Sequence, residues 1–323
     1  MRERHHMKVR LLLSPLTQGA YFEDAVDVAR AEYLALYPER QIETERAGPL
    51  VFLSVDAREA DFQCLTRLSF VQAIFRECDG GLAVVNQSPS FELPEQFVTG
   101  AKYRGKTNEL VTQLAINVGL AFCENDGQRT LSLLDPMAGR GTTLLWAARY
   151  GLDAYGIDYD PKALAHLQRH VKKQTKLHRI KHKETRGAVG TFRRKGHGRF
   201  LQYHFGQRVV RLITGDARRA DELLQRKRHD LIVTDLPYGV QHRTPGGTRN
   251  PLETLEVCAP VWRDCLRPGG AMVLIFNAYQ PKRSQLVRPF IDCGLQVEEF
   301  TAPHRLSESI VRDLAVFTMP FPG

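Results

Sequence analysis

Short apolar runs alternate with segments of helical spacing over the larger, C-terminal part of the chain. The runs that indicate strands are 131–134, 153–157, 209–214, 229–234, 266–276 and 313–318. This alternation is typical of a parallel sheet with helices between its strands. Four runs are followed by an acid: Asp135, Asp158, Asp216 and Asp235. Because ligands of such sheets bind beyond the carboxyl ends of the strands, we expect the four acids to surround one crevice.

The N-terminal part shows another pattern, in which strand-like runs cluster around one helical segment. The strand-like runs are 8–13, 50–55, 69–75 and 82–85, and the helical segment is 22–36, which stops before Pro38. Residues 86–94 are rich in turn formers and indicate a linker. We therefore predict a smaller accessory α+β domain over residues 1–98 and an α/β domain over residues 99–323.

A glycine-containing turn, residues 135–142 (DPMAGRGT), follows the first strand of the larger domain. Glycine lets the backbone approach a ligand closely, and a helix N-terminus offers N–H groups to a carboxylate or phosphate. A dinucleotide fingerprint would require a third glycine where the chain has Leu144, which disfavours a nicotinamide cofactor. Asp158 follows the glycines at the distance of about 20 residues that suits an acid binding the two hydroxyls of a ribose.

The ordered set of strand-end acids and glycines resembles the class I S-adenosylmethionine (SAM) methyltransferases. The resemblance implies a Rossmann-like methyltransferase sheet and SAM as the cofactor. It implies that Asp135, Gly139 and Gly141 surround the methionine part of SAM, with Pro136 and Thr142 in the same turn.

The same resemblance implies roles for the residues at the next two strand ends. Asp158 would hold the ribose, and Tyr159 would lie against the adenine. Asp216, followed by Ala217, would accept a hydrogen bond from the adenine amine.

The fourth strand ends in Asp235-Leu236-Pro237-Tyr238, which is similar to the Asp/Asn/Ser-Pro-Pro-aromatic motif of enzymes that methylate an amine on a planar group. In this interpretation Asp235 accepts one amine hydrogen and the Leu236 carbonyl accepts the other. Pro237 fixes the turn, and Tyr238 stacks on the base. Alignment of the amine with the SAM methyl group would then be the main contribution to catalysis.

Leu236 departs from the usual first proline of that motif, and this departure makes the segment more similar to the THUMP-associated tRNA guanine-N2 methyltransferases. An upstream block, residues 101–110 (AKYRGKTNEL), resembles the Tyr-x-Gly-x-Thr segment of the branch that modifies guanine-10 of tRNA. The resemblance implies RNA, and specifically tRNA, as the partner. We hypothesise that the accessory domain delivers this substrate.

The positive charge of the chain is concentrated in residues 172–199, here called the basic block. This block has eleven Lys or Arg and one acid, a net charge of +10, whereas the whole chain carries +9 and the remainder therefore −1. A basic insertion near 172–207 is either a solvated loop or a contact for RNA phosphates, and we favour the second. The residues predicted to bind substrate are Arg193, Arg194 and Lys195 in the block and Arg243 after the catalytic motif.

Composition narrows the class of protein. The 43% hydrophobic and 25% charged residues are ordinary for a globular protein. No apolar run approaches the roughly 20 residues of a membrane helix, and the N-terminus lacks a signal-type run, so we expect a cytoplasmic location without membrane contact. None of the six cysteines forms a C-x-x-C pair, and we predict no metal.

The sequence therefore predicts a SAM-dependent RNA methyltransferase acting on the exocyclic N2 of a guanosine in tRNA, with base extrusion into the crevice. One alternative is a DNA adenine-N6 or cytosine-N4 methyltransferase. Another is a catalytically silent RNA-binding partner that keeps the fold. A small activating protein subunit also stays open as a partner.

Overall fold

The computed structural model describes residues 6–18, 24–99, 108–125, 127–189, 198–236, 251–307 and 310–321. The chain divides into two compact units. The first comprises Met1–Ser90 and Phe300–Asp313, and the second comprises Phe91–Glu299 and Leu314–Gly323. The division falls before the predicted boundary at 98 because the segment after Ser90 already pairs with the second unit: the Glu92 amide donates to the Arg149 carbonyl at 2.8 Å.

The first unit is built on a five-stranded antiparallel sheet with the strand order β2-β3-β1-β4-β5. Its elements are β1 (Met7–Leu13), α1 (Ala25–Leu36), β2 (Ile42–Ala47), β3 (Leu50–Ala57), α2 (Phe62–Leu65), β4 (Val71–Cys78) and β5 (Gly81–Val84). Strand β2 was not predicted. It is an edge strand whose side chains are half-buried or exposed, and a strand of this kind lacks the apolar pattern of a buried one.

The second unit carries the long sheet with the strand order β13-β15-β12-β11-β6-β7-β10-β9-β8. Its strands are β6 (Ser132–Asp135), β7 (Asp153–Asp158), β8 (Lys183–Ala188), β9 (Arg199–Phe205), β10 (Arg208–Thr214), β11 (His229–Asp235), β12 (Leu266–Asn277), β13 (Gln296–Val297) and the later part of β15 (Ile310–Thr318). Residues 310–313 of β15 belong to the first unit, where they pair with β14 (His304–Ser307). Its helices are α3 (Gln96–Thr99), α4 (Glu109–Phe122), α5 (Thr142–Arg149), α6 (Lys162–His178), α7 (Ala220–Leu223), α8 (Pro251–Asp264) and α9 (Arg283–Asp292).

The centre of this sheet is parallel, since β12, β11, β6, β7 and β10 run in one direction, whereas β9 is antiparallel to β8 and β10, and β15 is antiparallel to β13. Strand β11 is entirely buried up to Thr234, as expected for a central strand covered on both faces. The order and directions are those of the class I methyltransferase sheet implied by the sequence, and the prediction of the fold class is confirmed.

The predicted basic insertion between β7 and β10 is folded over its described part. Helix α6 continues to His178, and β8 and β9 form an antiparallel pair that extends the sheet beyond β10. Strand β9 pairs with the hydrogen-bonding edge of β10, which would otherwise be open. In the described part of the chain, no helix is long and apolar enough to cross a membrane.

Candidate active site

The strand-end acids lie at one edge of the sheet. Asp135 ends β6, Asp158 ends β7 and Asp235 ends β11, and β6 lies between β7 and β11. In the register, Asp135 pairs with Gly156 and Asp158 with Thr214 of β10, so Asp216 follows at the same edge. The crevice expected from the sequence therefore has one acid at the end of each of four adjacent strands.

The glycine turn after β6 is shaped by two left-handed backbone positions. Gly139 has φ +53° and Gly141 has φ +84°, a region that residues with a Cβ rarely adopt. A Cβ at Gly141 would also lie 3.1 Å from Leu167. Gly141 is the N-cap of α5, and Thr142 is the first residue of that helix. The turn thus directs the N-terminus of α5 toward the edge where the acids lie.

Asp158 connects this turn to the next strand. Its Oδ2 accepts the Gly139 amide at 2.7 Å, and its Oδ1 accepts the Asp160 amide at 2.8 Å. Two backbone donors therefore orient the carboxylate. The following Tyr159 is 60% exposed, so its ring face is open to a planar ligand. This arrangement can place a diol and an aromatic base side by side.

Asp135 is almost completely buried, as is the adjacent Pro136. The Asp135 carboxylate accepts the Thr234 hydroxyl at 2.7 Å and the Met137 amide at 3.0 Å. Burial raises the pKa of Asp135 to about 7, and the negative charge of Asp235 adds to the rise, whereas hydrogen bonds from Thr234, Thr143 and the Met137 amide oppose it. Asp135 therefore titrates near neutral pH in the folded protein.

Asp216 has a partner that the sequence did not reveal. Its carboxylate accepts hydrogen bonds from the Arg218 guanidinium, the shortest at 2.6 Å, and from the Arg218 amide at 3.0 Å. Hydrogen bonds from Arg218 hold the pKa of Asp216 below its usual range. Ala217 accepts the indole N–H of the buried Trp262 at 3.0 Å, which anchors the turn.

The catalytic segment is described only at its start. Asp235 is half-buried at the end of β11. Leu236 is 7% exposed, and its amide donates to the Ile275 carbonyl of β12 at 2.9 Å. The backbone that leads into the motif is therefore held by the neighbouring strand. Six predicted site residues lie outside the described residues: Pro237, Tyr238, Arg193, Arg194, Lys195 and Arg243.

Two polar residues of the site were missed in the sequence, Thr143 and Thr234. Thr234 occupies the last buried position of β11, directly before Asp235. A hydroxyl within an otherwise apolar run was the available signal, because a buried hydroxyl requires a partner. Thr143 carried no such signal, since a threonine in the first turn of a helix is ordinary.

The described part of the basic block forms an exposed cationic surface. Eight of its eleven Lys and Arg are described and all eight are exposed: Lys172, Lys173, Lys176, Arg179, Lys181, Lys183, Arg186 and Arg199. The single acid of the block, Glu184, forms an ion pair with Arg186 at 2.7 Å and accepts the Tyr203 hydroxyl at 2.8 Å. The surface consequently has a large excess of positive charge.

Residues 120–286 match the family described as UPF0020, RMKL-like, methyltransferase domain. No curated protein matches the chain by sequence.

Among solved structures, TrmN from Thermus thermophilus is similar at 15% identity and a TM-score of 0.45, over 98% of this chain and 83% of that chain. The T. thermophilus 16S rRNA N2 G1207 methyltransferase RsmC, in complex with AdoMet and guanosine, is similar at 18% identity and a TM-score of 0.39, over 89% and 60%. A TehB-like SAM-dependent methyltransferase from Corynebacterium glutamicum is similar at 17% identity and a TM-score of 0.38, over 60% and 82%.

Proposed function

Since the chain belongs to the UPF0020 family of RMKL-like methyltransferase domains, we propose that it methylates the exocyclic N2 of a guanosine in tRNA. The protein is a class I SAM-dependent methyltransferase, and SAM is its cofactor. We further propose that the substrate is RNA, that the guanine amine is the acceptor of the methyl group, and that the site residues have the roles given below.

The residues at the carboxyl edge of the sheet fit SAM. Gly139 and Gly141 keep the turn free of side chains. In the proposal, the Asp135 carboxylate lies near the sulfonium cation, and the Asp158 carboxylate binds the ribose. In the proposal, Pro136 and Thr142 complete the methionine site, Tyr159 lies on the adenine, and Asp216 with Ala217 borders it. SAM, when bound, supplies a methyl group that is already activated by the sulfonium.

The observation that carries the proposal is the anchored strand end at Asp235-Leu236. A carboxylate and a backbone carbonyl in succession can accept the two hydrogens of a planar amine and orient its lone pair. The Leu236 amide is bonded to Ile275 and the Leu236 side chain is buried, so these acceptors start from a rigid backbone. Rigid placement of the nucleophile lowers the entropic part of the barrier. Pro237 and Tyr238 complete this proposed site.

The basic block supports RNA as the substrate. Its described cations lie on α6, β8 and β9 and in the link between α6 and β8, which belong to the same unit as the proposed catalytic residues. A folded surface of exposed like charges is stabilised by a polyanion, and phosphate contacts supply much of the affinity of RNA-binding proteins. Arg193, Arg194 and Lys195, together with Arg243, are proposed to contact the same RNA.

The catalytic role is tested with Asp235→Ala. We expect methyl transfer to tRNA to fall by at least about 100-fold, because alignment of the amine is lost. SAM binding, measured by calorimetry, should change little. Asp264→Asn, at an exposed position of α8, is the control for handling and folding. Retained transfer in Asp235→Ala would show that this carboxylate does not act on the amine.

The substrate is tested by mass spectrometry of tRNA nucleosides from cells with and without the gene. Loss of N2-methylguanosine is the expected result, and purified protein with SAM should restore it in the deficient tRNA. An unchanged nucleoside profile, together with methylation of adenine or cytosine in a DNA duplex, would replace the proposed substrate by DNA.

A further inference from the structure

A second cationic feature lies at the opposite edge of the same sheet. An open hollow of about 630 Å³ is lined by Arg129, Arg226, Arg228, Arg267, Pro268 and Phe321, and we call it the arginine hollow. Arg228 directly precedes β11, and Arg267 is the second residue of β12. The hollow is therefore at the amino ends of the strands, whereas Asp235 is at the carboxyl end of β11. It is independent of the proposed SAM site and of the basic block.

One buried carboxylate, Asp230, binds two of the four arginines of the hollow. Asp230 is 1% exposed and forms ion pairs with Arg129 at 2.5 Å and with Arg267 at 3.5 Å. It also accepts the Ser132 amide at 2.7 Å. Burial favours the protonated acid, but the hydrogen bonds from Arg129 and Ser132 hold the pKa of Asp230 below its usual range. Asp230 is thus a fixed anion that positions two guanidinium groups at the surface.

The other two arginines have no such anchor. Arg226 and Arg228 are exposed, and within the described part of the chain neither forms an ion pair with a carboxylate. Arg226 has φ +59° and Gln225 has φ +54°, so the link from α7 to β11 adopts a backbone that side chains rarely favour. The lining residues include four guanidinium groups and no carboxylate, and the neighbouring acids are the buried Asp230 and Glu124, which lies beside Gly269, so an excess of positive charge remains at the hollow. Such a cluster is electrostatically costly without an anion.

An exposed aromatic ring borders these arginines. Phe321 is 57% exposed, and its ring lies against Gly269, where a Cβ would approach the ring to 2.7 Å. Gly269 also has φ +72°, so two independent reasons require glycine beside the ring. The backbone thus makes room for an aromatic platform among cations. Phosphates suit the guanidinium forks, and an unpaired base suits the ring face.

We propose that the arginine hollow is a second RNA-binding site, in which Arg226 and Arg228 bind backbone phosphates and Phe321 stacks on an unpaired base. This inference rests on the proposed RNA substrate. Strand β11 has seven residues, so at about 3.3 Å per residue the hollow lies roughly 20 Å from the proposed catalytic end. That distance corresponds to about six phosphates along one strand of a duplex. A folded RNA of tRNA size can contact both edges, and the hollow then contributes affinity without touching the reacting base.

The test is Arg226→Ala/Arg228→Ala in the full-length protein, assayed for RNA binding and for methyl transfer to tRNA over a range of salt concentrations. We expect the KM for tRNA to rise about tenfold or more and kcat at saturating tRNA to stay unchanged. The slope of log affinity against log salt should fall by about 1.4 to 1.8, as two phosphate contacts are lost. SAM affinity should not change.

Two control variants separate charge from position. Arg263→Ala/Arg288→Ala removes the same charge from α8 and α9 and should leave the slope unchanged. Arg226→Lys/Arg228→Lys keeps the charge and should restore most of the slope.

The stacking role of Phe321 is tested separately. Phe321→Ala should weaken RNA binding at least about fivefold without altering the slope, since stacking is not ionic, and Phe321→Tyr should restore the affinity.

The wild-type arm distinguishes the failure of this inference from the failure of the proposed function. If wild-type protein neither binds nor methylates RNA, the proposed substrate is wrong and the inference falls with it. If wild-type protein methylates tRNA but Arg226→Ala/Arg228→Ala has the wild-type KM and slope, only the arginine hollow is overturned as an RNA site. Binding of inorganic pyrophosphate at the hollow with an unchanged KM for tRNA would instead assign it to a small anion.

Discussion

At the residue scale, the buried carboxyl group of Asp135 lies in the proposed cofactor site and has a pKa of about 7. Its carboxyl group is buried between a strand-end turn and the Thr234 hydroxyl, and its neighbour at the next strand end is Asp235. Burial of the Asp135 carboxyl group and the negative charge of the half-buried Asp235 both disfavour ionisation of Asp135. A cation bound beside Asp135 would favour its ionised form. The sulfonium of SAM is such a cation.

The stability of the free protein should consequently depend on the protonation of Asp135. Its ordinary pKa is 3.8 and its folded-state pKa is about 7. Because the folded-state value is raised, the stabilising contribution is fully present below pH about 4 and is lost as the pH rises through about 7. The complete effect is roughly 4 kcal/mol. Asp135→Asn cannot ionise, so it should gain stability relative to wild type between pH 5 and pH 8 in urea unfolding.

The comparison between two pH values removes any constant packing cost of the amide. Asp264→Asn at an exposed position should show the same difference from wild type at both pH values. A difference between Asp135→Asn and wild type that does not change with pH would mean that the buried carboxyl does not titrate in this range.

At the element scale, the turn from β6 into α5 shows how a local backbone requirement shapes a site. The sequence indicated the turn from its glycines, and the structure adds why they are required. Gly141 combines a left-handed φ with a close approach to Leu167 of α6. Gly139 has open space around it and requires glycine only for its left-handed backbone conformation, in which its amide donates to Asp158. The element is therefore specified by local chain geometry and by one packing contact.

Gly141→Ala should destabilise the protein and weaken SAM binding together. A left-handed alanine costs roughly 1–2 kcal/mol, and the new Cβ must also displace Leu167. Gly206→Ala is the matched control, because Gly206 has φ +58° with no atom within 4 Å of a Cβ and lies in the turn between β9 and β10. Both variants should lower Tm, but only Gly141→Ala should raise the Kd for SAM. Equal Kd values for SAM would separate the turn from the cofactor.

At the scale of the whole molecule, charge is distributed very unevenly along the chain. The basic block holds a net charge of +10 and the remainder −1, yet the remainder includes the arginine hollow at the other edge of the sheet. The near-neutral remainder therefore hides a second local excess of positive charge. The charge counted along the sequence did not reveal this excess, because Arg129, Arg226 and Arg267 are distant from one another in the sequence.

RNA affinity should respond to the described part of the basic block. Replacing Lys172, Lys173 and Lys176 of α6 by alanine should lower the slope of log affinity against log salt by about 2.1 to 2.7. The corresponding triple variant at Arg193, Arg194 and Lys195 should have a similar effect, as the sequence predicts. Filter binding at several salt concentrations measures both. If neither triple variant changes the slope, the block does not contact RNA phosphates.

The sequence by itself indicated the central strands of the second unit, because buried parallel strands require uninterrupted apolar runs and the chain marks the ends of four of them with acids. It also determined the family resemblance, the SAM cofactor and the glycine turn, since these depend on short motifs and on their order along the chain. The predicted substrate and the roles of the site residues stay predictions that the proposed experiments test, and the predicted domain limits stay predictions.

Only the tertiary structure decided how those elements meet. It paired Asp135 with Thr234 and Asp230 with Arg129 across about one hundred residues of chain, and Asp230 with Arg267 across a shorter distance in the sequence. It folded the basic insertion into strands that extend the sheet. The physical reason is the same in each case: burial and hydrogen bonding depend on which strands are neighbours, and strand order is a property of the folded chain that no local pattern contains.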